Sequence, residues 1–240
     1  MGLVQGGPFV GLELELTQLV DLPGQALTFD LEFTRLLFGI FTGATLALAR
    51  PPTRAFGVDP APSVTSSLHT ETHLFAETSD AFFAARRLDG LLAGRPVKLA
   101  FVDGLHTFEQ CLRDVLNLEA WCDSTSVVLL HDTMPLDELT QRRERKTVFW
   151  TGDVWKALVA LKHYRPDLDL FTIPAAPTGL TVVSGLDRSS RVLAEAYDDA
   201  IRRFIDLPFS EIEPQLDQVC TIVPNDWTAV AARLGKRQVL

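Results

Sequence analysis

Several features that define common protein classes are missing from this sequence of 240 residues. It contains only three cysteines, none in a CxxC spacing, which argues against a disulfide framework and against a cysteine zinc site. We interpret Cys111, Cys122 and Cys220 as reduced, mostly buried thiols of a cytoplasmic protein. The chain also lacks a signal-peptide pattern, and its apolar stretch at 36–48 is too short and too glycine-interrupted to span a bilayer.

A strongly basic surface is missing as well. The formal net charge is -9, and the one dense run of basic residues lies at 142–146. Nucleic acids and anionic membranes select proteins with extended basic stripes, so we expect neither as the main partner. The basic run itself has two interpretations, a solvated loop or helix face, or a lid that contacts an anionic substrate.

The sequence is rich in apolar residues, which make up 47% of the chain and suffice for a sizeable core. From residue 34, short apolar runs alternate with amphipathic segments, a pattern typical of βαβ units and an α/β fold with a parallel sheet. We predict strands at 35–40, 54–59, 72–77, 97–103, 126–131, 168–173 and 180–184. We predict helices at 43–50, 64–70, 79–92, 107–121, 152–163 and 187–205. The turn PAAPTG between the last two strands predicts an antiparallel hairpin at the sheet edge.

These patterns divide the chain into three parts. We expect residues 1–33 to form an N-terminal arm, which either covers the active site or mediates contact in a homo-oligomer. Residues 34–186 contain the alternating pattern and form the predicted core. Residues 187–240 are predicted to form a helical extension that packs on this core.

Ligands of an open parallel sheet bind beyond the carboxyl ends of its strands, so the residues that follow each apolar run are informative. Gly39 and Gly43 bracket the first such position, where glycine lets the backbone approach a ligand closely. Asp59 ends the second run, and a carboxylate there can accept both hydroxyls of a ribose. The GxGxxG fingerprint of dinucleotide-binding proteins is absent, which makes an NAD-dependent oxidoreductase a weak alternative. A tight turn without ligand, with Asp59 capping a segment before Pro60, explains the same residues.

The fourth and fifth strands end in a denser set of reactive groups. Asp103 and His106 follow the fourth strand, and His131 and Asp132 follow the fifth. If these strands are neighbours, two carboxylates and two imidazoles meet, as a divalent cation and a general base require. Each residue also has an ordinary explanation, such as a buried histidine bonded to a carbonyl or an aspartate that caps a helix. Thr107, with glutamine three positions later, has the form of a capping box and predicts a helix start directly after His106.

A third motif, WTGDVW, follows the basic run. Trp150, Asp153 and Trp155 could form a platform for a carbohydrate or an aromatic ring. The alternative interpretation is that Asp153 caps a helix and that Trp155 belongs to the core.

The segments FVDGLHTFEQ, VVLLHDTMP and FGVDPAP resemble class I S-adenosylmethionine-dependent O-methyltransferases, in a branch with bacterial sugar and polysaccharide O-methyltransferases. The resemblance covers about 34–184 and implies a three-layer Rossmann-like sheet, mostly parallel, with an antiparallel C-terminal hairpin strand. It implies that His106 is the general base. It also implies S-adenosylmethionine held by Gly39, Gly43, Asp59, Thr78 and Ser79, and Mg²⁺ or another divalent cation held by Asp103, His131 and Asp132.

One position departs from that pattern. Relatives usually have an acidic residue two positions before the first loop glycine, where this chain has Leu37. Either cofactor affinity is reduced, or Asp30 or Glu32 of the arm substitutes for the missing carboxylate. Two other functions therefore stay open. One is a metal-dependent hydrolase that uses the same Asp/His cluster, and the other is a methyltransferase-fold protein that binds ligands without catalysis.

Overall fold

The strands of the sheet position the candidate site. In a computed structural model of the chain, the structure describes 34–38 as backbone and 43–235 in full. The predicted arm at 1–33, Gly39 and the last five residues lie outside the described residues. The strands are β1 (Thr34–Phe38), β2 (Arg54–Val58), β3 (Thr72–Phe75), β4 (Leu99–Val102), β5 (Val127–His131), β6 (Asp169–Ile173) and β7 (Leu180–Ser184). Each lies within, or within one residue of, its predicted range.

The seven strands form one sheet in the order β3-β2-β1-β4-β5-β7-β6. The pairs from β3 to β5 are parallel, whereas β7 runs antiparallel to both β5 and β6. The chain winds outward from β1 in one direction to β3 and then in the other direction from β4, which creates a crevice at the β1–β4 boundary. The predicted hairpin is present, with β6 as the outermost strand.

The helices connect and cover these strands. They are α1 (Ala44–Ala47), α2 (Ser79–Ala84), α3 (Arg87–Leu92), α4 (Phe108–Glu119), α5 (Trp155–Tyr164), α6 (Val192–Phe204), α7 (Phe209–Ile212), α8 (Leu216–Cys220) and α9 (Trp227–Gly235), with a 3₁₀ turn at Glu213–Gln215. Among the described helices, none has both the length and the apolar character that a membrane span requires.

The core consists of two layers, one on each face of the sheet, as strand alternation dictates. In β4, Ala100 and Val102 pack into one layer with Leu112 and Val115 of α4. Phe101 points to the opposite layer, which also contains apolar residues of α1 and α9. The fold is therefore a three-layer α/β sandwich. Residues of α6 and α9 belong to these layers, and the predicted division of the chain into three parts stays a prediction.

Two helix predictions were wrong in detail. The segment 64–70 is irregular, because its threonine and serine residues favour local turns and its Val64 and Leu68 pack individually against the core. The predicted helix at 79–92 is broken into α2 and α3, since Arg86 takes a left-handed conformation with φ of 49°.

Candidate active site

The strand register aligns the predicted site residues along one edge of the sheet. Phe38 of β1 pairs with Val58 of β2 and with Val102 of β4, and Val102 pairs with Leu130 of β5. The residues that follow these positions therefore leave the sheet side by side. Among the described residues they are Asp59, Asp103 and His131, and they lie near the crevice at the β1–β4 boundary.

Four side chains from β4 and β5 meet at this edge. Nδ1 of His131 lies 3.1 Å from Oδ1 of Asp103 and 3.3 Å from Oδ2 of Asp132. Nδ1 of His106 lies 3.0 Å from the same Asp132 oxygen, and its Nε2 lies 3.6 Å from Oδ1 of Asp103. The convergence expected from sequence is thus present, and Asp132 contacts both imidazoles.

A residue that the sequence did not single out orients this carboxylate. Asp132 has φ of 58°, and Oδ1 accepts a hydrogen bond of 2.5 Å from the hydroxyl of Thr178 in the β6–β7 turn. The Thr178 carbonyl in turn accepts from the backbone N–H of Met134 at 2.8 Å. Because Thr178 is buried and lies 46 positions from Asp132, only the closed hairpin brings the two together.

The charges of the cluster shift its pKa values strongly. Burial opposes protonation of His131, but attraction to Asp103 and hydrogen bonds to both carboxylates outweigh it and raise the His131 pKa to about 10. Burial likewise opposes ionisation of Asp132, yet the hydrogen bonds from His106 and His131 hold its pKa well below the usual range. The same carboxylates raise the pKa of His106 despite its burial. The two carboxylates thus favour positive charge at this edge of the sheet, which protonated imidazoles or a bound cation can supply.

The donor set fits a divalent cation. One ligand atom each from Asp103, His131 and Asp132 lies within 4.8 Å of the others, and a cavity of about 10 Å³ adjoins them, enough for about one water-sized group. Two carboxylates are the ligands that Mg²⁺ prefers, whereas the imidazole is better suited to first-row transition metals. Binding through Nδ1 of His131 would replace the proton that this nitrogen now shares with the carboxylates.

The predicted nucleoside residues have local structural partners. Oδ1 of Asp59 accepts from the N–H of Ala61 at 2.7 Å, and the Thr78 hydroxyl accepts from Ala81 at the start of α2. Gly43 has φ of 77°, and a Cβ there would lie 2.7 Å from Val64, so both conformation and space require glycine. These partners agree with the turn and cap interpretations and leave the cofactor roles as predictions.

Ser79 belongs to a polar network that the sequence did not reveal. Nε2 of Gln110 lies 3.2 Å from the Ser79 hydroxyl and 3.1 Å from carboxylate oxygens of both Asp80 and Asp114. Asp114 is buried on α4, and desolvation raises its pKa to about 6. The network joins the first turn of α2 to α4, the helix that follows Asp103.

Of the three residues singled out in WTGDVW, Trp150 is half-buried, whereas Asp153 and Trp155 are buried. Trp155 is fully buried and packs edge-on against Phe209, with ring centroids 5.6 Å apart. Asp153 is 1% exposed, and its Oδ1 accepts from the N–H of Phe108 at 2.8 Å. It therefore caps α4 from 45 positions away, whereas the predicted capping box fails because the Thr107 side chain makes no cap bond. Trp150 stacks on His106.

Comparison with known proteins agrees with this geometry. A family model described as a methyltransferase domain matches residues 34–133. The O-methyltransferase TomG from Streptomyces achromogenes, involved in tomaymycin synthesis and solved in complex with SAM, is 15% identical with a TM-score of 0.51, covering 76% of this chain and 82% of TomG. Cofactor-bound Rv0187 from MTB is 14% identical with a TM-score of 0.47, covering 77% of this chain and 93% of that one. No curated protein matches the sequence significantly.

The sheet order and the likeness to TomG show a Rossmann-like α/β fold, mostly parallel with an antiparallel C-terminal hairpin, which confirms the predicted fold class. The family match and this likeness agree with the predicted class of enzyme, a methyltransferase. The matched range ends at Thr133, so it includes both strand ends that carry the Asp/His cluster.

Proposed function

We propose that the chain is an S-adenosylmethionine-dependent O-methyltransferase that uses a divalent cation and acts on a hydroxyl of a sugar, a polysaccharide precursor or a similar small molecule. The observation that carries the proposal is the convergence of Asp103 and His106 with His131 and Asp132, at the end of the crevice where methyltransferase-type sheets bind ligands.

The cofactor role is supported by the sheet edge. Asp59 follows β2 and Asp103 follows β4, and these two strands pair with opposite sides of β1. Asp59 would hold the ribose of the cofactor through its two hydroxyls. When bound, S-adenosylmethionine would supply a methyl carbon that is already electrophilic because its sulfur carries positive charge. The residues of the chain then have to orient an acceptor oxygen and remove its proton.

His106 is suited to accept that proton. Its Nδ1 faces two acceptors, the Asp132 carboxylate and the Trp150 carbonyl, each at 3.0 Å, so Nδ1 carries a hydrogen. Nε2 is then the basic nitrogen, and it is directed towards Asp103. A cation held by Asp103, His131 and Asp132 would make a nearby acceptor hydroxyl more acidic. Nε2 of His106 would take the proton that the acceptor hydroxyl gives up when its oxygen is methylated.

A sugar acceptor is supported by the form of the donor set. Two neighbouring hydroxyls of a sugar can share one cation, and Asp103 and Asp132 provide only part of its coordination. Trp155 is buried and offers no face to an acceptor, so the stacking role proposed for it has no support from its placement.

Homo-oligomerisation through the arm at 1–33 also stays a proposal.

The proposal is tested by titrating the protein with S-adenosylhomocysteine in a calorimeter and by assaying its formation from S-adenosylmethionine with hydroxylated acceptors. We expect saturable binding that Asp59→Ala weakens. A flat titration at millimolar ligand would overturn the proposal. Binding without product from any acceptor would favour a non-catalytic protein, and metal-dependent turnover unaffected by Asp59→Ala would favour a hydrolase.

A further inference from the structure

The backbone of His106 has a conformation that is unfavourable for a residue other than glycine. Its φ of 55° lies in the left-handed region, which costs a non-glycine residue free energy unless surrounding contacts compensate. The residue also sits in a short connection between β4 and α4, with Gly104 and Leu105 both exposed. Contacts from elsewhere in the chain must therefore fix its ring.

Most of these contacts come from the segment 150–153. The indole of Trp150 lies parallel to the imidazole of His106, with ring centroids 4.8 Å apart and an interplanar angle of 3°. The Trp150 carbonyl lies 3.0 Å from Nδ1 of His106. A Cβ on Gly152 would lie 1.8 Å from the His106 carbonyl oxygen, so the two backbones pack in direct contact. One segment thus contacts the face, one nitrogen and the carbonyl of the same histidine.

The segment is itself anchored on both sides. The indole N–H of Trp150 donates to the carbonyl of Arg142, and the backbone N–H and hydroxyl of Thr151 both donate to the carbonyl of Thr140. These bonds tie Trp150 to the loop that precedes it and limit rotation of the indole.

Asp153 provides the second anchor. Oδ1 accepts from the N–H of Phe108, two residues after His106, and Oδ2 accepts from Arg143 at 3.0 Å and from Lys156 at 3.3 Å. Arg143 also donates two hydrogen bonds to Glu109 of α4, at 2.6 and 2.8 Å. Within the basic run, Arg143 therefore holds the segment against the first turn of α4. The other basic residues of the run are exposed, in agreement with the interpretation as a solvated loop.

We propose that Trp150, anchored through Asp153, is a positioning residue for His106. It fixes the imidazole plane and keeps the hydrogen on Nδ1, so that Nε2 faces the candidate cation site. The catalytic consequence rests on the proposed function, but the position and tautomer of the ring do not. Trp150 acts through His106, and its indole does not serve as the acceptor platform.

The first test reads the tautomer directly. Nitrogen NMR of the full chain, recorded without metal at a pH where the ring is neutral, would be compared for wild type, Trp150→Phe, Trp150→Leu and Trp150→Ala. The His106→Gln spectrum identifies the His106 signals among the five histidines. We expect Nδ1 to carry the hydrogen in wild type and in Trp150→Phe, and a mixture with the Nε2-protonated form in the leucine and alanine variants. Unchanged His106 nitrogen shifts in the folded leucine variant would overturn the proposal.

The second test separates positioning from stability. Trp150→Leu should lower kcat about 10- to 100-fold with little change in KM for the acceptor, and Trp150→Phe should restore most of the loss. Trp121→Phe is the matched control, because Trp121 stacks on Phe83 away from the site. A KM increase at constant kcat would instead make Trp150 an acceptor contact and overturn the proposal. If wild type shows no turnover at all, the proposed function fails, whereas the NMR comparison still decides the positioning role.

Discussion

The hydroxyl of Thr178 donates a hydrogen bond to Oδ1 of Asp132, so the β6–β7 hairpin orients a carboxylate that ends β5. Partners of this kind fix the direction of metal-binding groups and typically change affinity about 10- to 100-fold when removed. We expect Thr178→Val, which keeps the shape of the side chain, to weaken divalent-cation binding by this factor in calorimetry. The control is Thr228→Val at an exposed position on α9. Equal affinities for the two variants would show that Thr178 does not orient the site.

The choice of metal should follow from His131. Because the donor set includes an imidazole, we expect Co²⁺ to bind more tightly than Mg²⁺. His131→Asp should reduce the difference between the two affinities, because it supplies a third carboxylate for Mg²⁺. Calorimetry with each ion measures both effects. EDTA should suppress turnover, and either ion should restore it. Full activity in the chelator would remove the cation from the proposed function.

Loss of the proposed base should affect chemistry and spare cofactor binding. His106→Ala is expected to lower the rate about 10²- to 10⁴-fold, because the variant lacks Nε2, the nitrogen proposed to take the proton of the acceptor hydroxyl. The affinity for S-adenosylhomocysteine should stay within a factor of about two, since the proposed ribose contact is at Asp59. The control is His163→Ala, at an exposed position on α5. An unchanged rate would mean that another group is the base.

Asp114 should make the folded protein less stable as pH rises, whereas most aspartates have the opposite effect. Burial raises its pKa from the ordinary value of 3.8 to about 6 in the folded state, so the folded state binds this proton more tightly than the unfolded chain does. The contribution of protonated Asp114 to the free energy of unfolding is fully present below about pH 4 and is lost as pH rises through about 6. Asp114→Asn should therefore be more stable than wild type at pH 7, by on the order of 3 kcal/mol, and similar at pH 4.

Urea unfolding at both pH values measures this difference. Asp198→Asn, at an exposed position on α6, is the control and should leave the free energy of unfolding nearly unchanged at both pH values. A destabilised Asp114→Asn at pH 7 would mean that the ionised carboxylate, through its bond with Gln110, contributes more than its burial costs.

The sequence by itself determined the strands and the residue types at their ends. Parallel strands buried on both faces appear as continuous apolar runs, which is why β4 and β5 could be located within a residue or two. Polar groups directly after such runs must share one edge of the sheet, so the meeting of Asp103 with His131 and Asp132 could be anticipated. The same reasoning identified the hairpin from its proline and glycine residues.

The tertiary structure decided the contacts that hold these groups in place. The start of α4 was predicted correctly, but its cap comes from Asp153 and not from Thr107. Thr178 reaches Asp132 and Trp150 reaches His106 across more than 40 positions of sequence, and no local pattern encodes either contact. Local preference sets where an element begins, whereas the partner of a buried polar group depends on which distant segment packs beside it once the core has closed.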